Sequence, residues 1–65
     1  DIIGARVVDE NGAEVGTLAE VLNLPGSDVY VVRGEREILI PAVPQFILSR
    51  DIDAGVITVR MMEGL

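Results

Sequence analysis

Along the chain, short apolar runs are broken at clusters of Gly, Pro, Asn and Asp. The breaks fall roughly every eight to twelve residues, which is the punctuation of an all-β sandwich or barrel. Asn11-Gly12 lies between Ala5-Arg6-Val7-Val8 and the segment from Ala13. Both residues tolerate positive φ, so the pair predicts a hairpin with a two-residue turn. Pro25-Gly26 predicts the next turn, with Pro setting φ and Gly supplying its positive value. Residues 28–33, rich in Val and Tyr, read as a strand, and Arg33-Gly34-Glu35-Arg36 as a polar reversal. Glu37-Ile38-Leu39-Ile40 returns as a second strand, ended by Pro41, which cannot donate to a ladder.

Residues 14–24 are ambiguous, because Val15, Leu18, Val21 and Leu22 suit a helix as well as a strand. A tight hairpin turn needs a strand directly after it, and Gly16 would begin the helix without a capping residue. A long bent strand with a glycine bulge satisfies both constraints. Further on, Ala42-Val43-Pro44 reads as a short extended or 3₁₀ connection, residues 45–49 as a strand and residues 51–55 as a turn. In residues 56–61 the period is two: Ile57, Val59 and Met61 face one way, Thr58 and Arg60 the other. The expected fold is therefore all-β, a small antiparallel barrel of about six short strands.

Composition narrows this picture. With 65 residues the chain makes one domain. Area scaling gives a folded surface of roughly 4,000 Å² and about 60% burial on folding, a thin core. There is no cysteine to reinforce it, and with one Tyr and one Phe the filling must be aliphatic. No apolar run approaches the roughly 20 residues of a membrane helix. The formal net charge is −6, and all five basic residues are arginines. Such a surface disfavours direct nucleic-acid binding and attracts basic proteins, though a charge of this size also keeps a small domain dispersed. The chain starts at Asp1 rather than Met, which predicts an excised domain or a processed product.

Catalytic chemistry is poorly supplied. His, Cys and Lys are all missing, so Ser27 and Ser49 have no activating partner and no Schiff-base amine exists. Asp51, Asp53 and Gly55 imitate the start of a calcium loop, but Val56 and Met62 stand where it needs Gly and a bidentate Glu. Neither an enzyme nor a cofactor or metal site is expected. The apolar residues say more. Val29 to Val32 and Ile38 to Ile40 put aliphatic side chains on both faces of two paired strands, while a small barrel has one interior. Some of them require a cover. Leu24, Pro25, Val43, Pro44 and Phe46 lie in or near loops and form the candidate partner-binding surface, the alternative being that they plug the barrel ends.

Taken in order, Ile2-Ile3-Gly4-Ala5-Arg6-Val7-Val8-Asp9-Glu10-Asn11-Gly12, Val15-Gly16, Val21-Leu22, Asp28-Val29-Tyr30-Val31-Val32 and Glu37-Ile38-Leu39-Ile40-Pro41-Ala42-Val43-Pro44 resemble the PRC-barrel domain of RimM-type ribosome maturation factors. The stretch from Asp51 to Val59 and the ending Glu63-Gly64-Leu65 extend the resemblance over essentially the whole chain. It implies a small β-barrel that, in the family, follows a separate N-terminal domain. It implies a cytoplasmic, non-enzymatic role in assembly of the 30S subunit, its head in particular, and in 16S rRNA processing. The implied contact is with the nineteenth small-subunit ribosomal protein, a basic one, and with 16S rRNA at most indirectly.

Gly4, Gly12, Gly16, Asp28, Pro41, Asp51, Gly55 and Gly64 fall on the family pattern and read as structural turn, bulge and strand-end positions. The family's aromatic pair precedes the segment matched by Asp1 to Gly4, so it has no counterpart here, and Ser27 replaces a usual Asn. A competing expectation is a structural or regulatory PRC-barrel module of a membrane complex, as in reaction-centre subunits. No membrane contact is expected for this chain. The isolated domain is expected to self-associate through whichever surface lacks its cover.

Overall fold

The computed structural model describes residues 2–61 and contains six strands, with no helix among those residues. They are β1 (Arg6–Val8), β2 (Glu14–Leu24), β3 (Ser27–Arg33), β4 (Glu37–Pro41), β5 (Ile47–Asp51) and β6 (Val56–Val59). All belong to one sheet in the order β4-β3-β2-β1-β6-β5. Every pair is antiparallel except β1 with β6, which run parallel. The sheet curls round a core but does not close by backbone pairing, since β4 and β5 each have a neighbour on one side only.

Residues 14–24 form a single strand, which settles the helix-or-strand ambiguity. Two irregularities bend it. The partner of β1 passes from Gly16 to Glu14, leaving Val15 as an extra residue, and the partner of β3 passes from Leu18 to Glu20, leaving out Ala19. These bulges let one long strand turn from β1 on one side to β3 on the other.

The first hairpin forms, but its turn differs from the expected two-residue type. Asp9 and Ala13 close it through a backbone bond of 2.8 Å, leaving residues 10–12 as the loop. Gly12 N–H donates to the Asp9 carbonyl at 2.9 Å, and Gly12 alone takes positive φ (86°) while Asn11 does not. This is the three-residue connection, a turn completed by a left-handed glycine. The Asp9 carboxylate makes it possible by accepting from the N–H groups of Asn11 and Ala13 at 2.8 and 2.9 Å. The Pro25-Gly26 turn forms as expected, closed by Leu24 opposite Ser27.

Strand β5 starts two residues later than expected. The N–H groups of Phe46 and Ile47 both donate to the Val43 carbonyl, at 3.0 and 2.9 Å, so the turn after β4 runs through Phe46. The ladder of β6 correspondingly ends at Val59, opposite Ile47.

The core is aliphatic apart from one tyrosine. Val7, Leu18, Tyr30, Val32, Ile40, Ile47, Ile57 and Val59 form it, with Phe46, Ile38, Val21 and Met61 packed against it. Ile57, Val59 and Met61 thus share the inward face that their period of two implies. No polar or charged residue is buried among the described residues. The accessible surface is 4366 Å², close to the scaling expectation.

Candidate functional surface

The loop residues picked from the sequence divide into two groups. Leu24 and Pro25 are exposed at the β2–β3 turn, and Pro44 is exposed in the β4–β5 connection with half-buried Val43 beside it. The Ala42 N–H donates to the Asp28 carbonyl at 2.8 Å, which ties that connection to the start of β3. The four residues therefore gather at one end of the sheet. Phe46 behaves differently: it packs against the core and borders a small pocket with Ile38–Pro41, Arg60 and Met61.

The positions read as structural are placed as follows. Gly4, Gly12 and Gly55 have positive φ, and Gly16 lies against the backbone of Arg33. Asp28 lies within β3, where its carboxylate accepts from Asn23 Nδ2 at 3.2 Å, and Pro41 is the last residue of β4. Asp51 ends β5, and its carboxylate accepts from the Ala54 N–H at 3.0 Å. Gly64 and the ending Glu63-Gly64-Leu65 lie outside the described residues.

A larger surface was legible only in part from the sequence. In the β2–β3–β4 half, the rows Val21–Tyr30–Ile40 and Leu18–Val32–Ile38 face the core. The alternate rows face outward: Leu22–Val29–Pro41 and Glu20–Val31–Leu39, with Leu24 beyond them. Leu24 and Leu39 are 52% and 57% exposed, while Val31 between its strand neighbours is only 4% exposed. The outer face of the other half is mixed: Arg6, Glu14, Asp51, Thr58 and Ser49 stand beside Val8 and Val56, with Arg6 and Glu14 paired at 3.5 Å. The apolar character of β3 and β4 on both faces was the available signal.

An open groove of about 580 Å³ lies between the first hairpin, the 34–36 loop and Met61, with Asp9, Glu14 and Glu35 on its walls. Among the described residues no cluster of His, Cys, Asp or Glu is arranged to hold a metal ion. No helix among them is long and apolar enough to cross a membrane.

A curled six-stranded sheet with one apolar outer half is a small β-barrel-type domain. The comparisons specify which. Residues 1–65 match the RimM PRC barrel domain family, and the chain belongs to it. It is 47% identical over 66 residues to the ribosome maturation factor RimM of Caldanaerobacter subterraneus subsp. tengcongensis, covering 100% of this chain and 39% of that protein. The RimM of Lactiplantibacillus plantarum is 43% identical, covering 98% of this chain and 38% of its own. The crystal structure of a 16S ribosomal RNA processing protein RimM from Pseudomonas aeruginosa superposes with a TM-score of 0.90 at 28% identity, over 98% of this chain and 43% of that one. The chain thus spans about two fifths of the length of the relatives it matches. Those relatives are named ribosome maturation factors.

Proposed function

We propose that this domain assists maturation of the 30S subunit, and with it 16S rRNA processing, by binding a basic small-subunit ribosomal protein in the cytoplasm. The observation that carries the reading is the family match along all 65 residues, among relatives named as ribosome maturation factors. The acidic surface supports it, because a net charge of −6 attracts basic proteins and repels phosphate. The nineteenth small-subunit ribosomal protein is the partner the family resemblance implies. The mode of action is binding, with RNA involved at most through the protein partner.

A domain exchange tests this. In the Caldanaerobacter RimM, the matching region is either deleted or replaced by residues 1–65, and each form is used to capture free 30S subunits. The exchanged form is expected to retain capture and the deleted form to lose it. Equal capture by both overturns the proposal.

A further inference from the structure

We propose that the outer face of β2–β3–β4 is the surface on which this domain docks its basic protein partner. Leu24 and Leu39 provide the apolar anchor, and Glu20 receives an arginine or lysine. The inference rests on the reading that the domain works through a basic ribosomal protein, and it assigns that contact to a place.

The two halves of the outer surface differ in kind. In the β1–β6–β5 half, Val8 and Val56 alternate with Arg6, Asp51, Thr58 and Ser49, and Arg6 is paired with Glu14. In the other half, Leu22, Val29, Pro41, Val31 and Leu39 occupy adjoining positions on three paired strands, with no helix or strand above them among the described residues. Leu39 stands more than half exposed in mid-strand, where a solvent-facing position ordinarily carries a polar residue. Such an apolar strand surface fits the core of a protein–protein contact.

Charge identifies the occupant. Arg33, the basic residue on this face, is held by Glu37 at 3.0 Å. Glu20 shares a row with Val31 and Leu39 and has no ion-pair partner among the described residues. The platform therefore offers one uncompensated carboxylate beside apolar side chains. A partner presenting aliphatic groups flanked by Arg or Lys matches both features. A second copy of this chain is a poorer match, since it would bring another −6 charge, and a Glu20 of its own, against the first. The apolar contacts set the lifetime of the complex, and Glu20 sets register and the rate of encounter.

The test measures binding of the 65-residue chain to the purified nineteenth small-subunit ribosomal protein by calorimetry, at low and high salt. Leu24→Ser with Leu39→Ser is expected to weaken binding about tenfold or more. Glu20→Gln is expected to cost about threefold at low salt, with the loss shrinking at high salt. Ile52→Ser, at an equally exposed residue (57%) in the β5–β6 turn, is expected to bind like the parent. Circular dichroism checks that each variant is folded, and Glu20→Gln keeps the test decisive if the double variant is not. Unchanged binding by both the double variant and Glu20→Gln overturns the assignment while leaving the proposed function standing. Sedimentation showing a dimer that Leu39→Ser dissolves assigns the face to a second copy and also overturns it. A parent chain that does not bind overturns the functional reading first and the docking face with it.

Discussion

A side chain on Gly16 would place its Cβ 2.5 Å from the carbonyl oxygen of Arg33, so β2 and the end of β3 meet at a separation that only glycine permits. Gly34 meets the Val15 carbonyl from the other side in the same way. The neighbouring atoms are backbone and have no rotamer with which to yield. Gly16→Ala is expected to destabilise the domain by about 1–3 kcal/mol, the range for overpacked sites, or to shift the ladder. Gly12→Ala is a useful contrast: its site has open space but a φ of 86°. There the expected cost is about 1–2 kcal/mol, the strain of a left-handed alanine. Urea melts of both variants check this, and a Gly16→Ala variant as stable as the parent would show that the strands can part without penalty.

Across the open side of the sheet, Arg50 on β5 meets Tyr30 on β3. Its Nε donates to the tyrosine hydroxyl at 3.0 Å, and the guanidinium carbon lies 5.8 Å from the ring centroid. No backbone ladder joins the halves at this point, so the side-chain contact stands in for one. Tyr30→Phe keeps the ring in the core and removes the acceptor. It is expected to cost about 0.5–1.5 kcal/mol. Arg50→Ala removes the ring contact as well and should cost at least as much, which thermal melts of the two variants compare.

The first hairpin depends on one carboxylate. Asp9→Ala removes both bonds from the N–H groups of Asn11 and Ala13. The expected loss is about 1 kcal/mol, with faster amide exchange at Asn11 and Ala13 than elsewhere. Asp9→Asn keeps an acceptor oxygen and is expected to restore much of the difference.

Leu18 is among the largest fully buried side chains. In a core with one tyrosine and a half-buried phenylalanine, nothing large stands ready to refill the gap. Leu18→Ala is expected to cost about 2–5 kcal/mol, enough to unfold much of a 65-residue domain at room temperature. Circular dichroism at 25 °C reads this directly.

The strands and most turns were legible because their signals are local. Pro25-Gly26 and the polar 34–36 reversal need only neighbouring residues to act, and the strands lie where those turns place them. The Asn11-Gly12 signal gave the hairpin but not its loop length, which the Asp9 carboxylate decides through bonds reaching to Ala13. The start of β5 was misplaced because the Val43 carbonyl captures two successive N–H groups, an event that no period of two reveals. For the candidate surface, the sequence showed that β3 and β4 are apolar on both sides. Which of those side chains remain uncovered depends on a register linking three strands, so Leu39 emerged as exposed only with the fold.

The parallel pairing of β1 with β6 has a consequence for how the chain is made. Arg6 lies opposite Val56, so the second strand of that ladder is synthesised close to the end of the domain. Until then β1 has β2 beside it and an open edge on the other side, and Val7 and Leu18 lack Ile57 and Val59 across the core. The β2–β3–β4 meander can form locally as it emerges, but the structure becomes cooperative only when its last strand arrives. Pairing Arg6 with Val56 closes a loop of about fifty residues, an entropic cost that the hairpin ladders do not carry. The nascent chain therefore waits with its hydrophobic interior half built, and a stalled or truncated product would present a sticky strand edge in place of a finished domain.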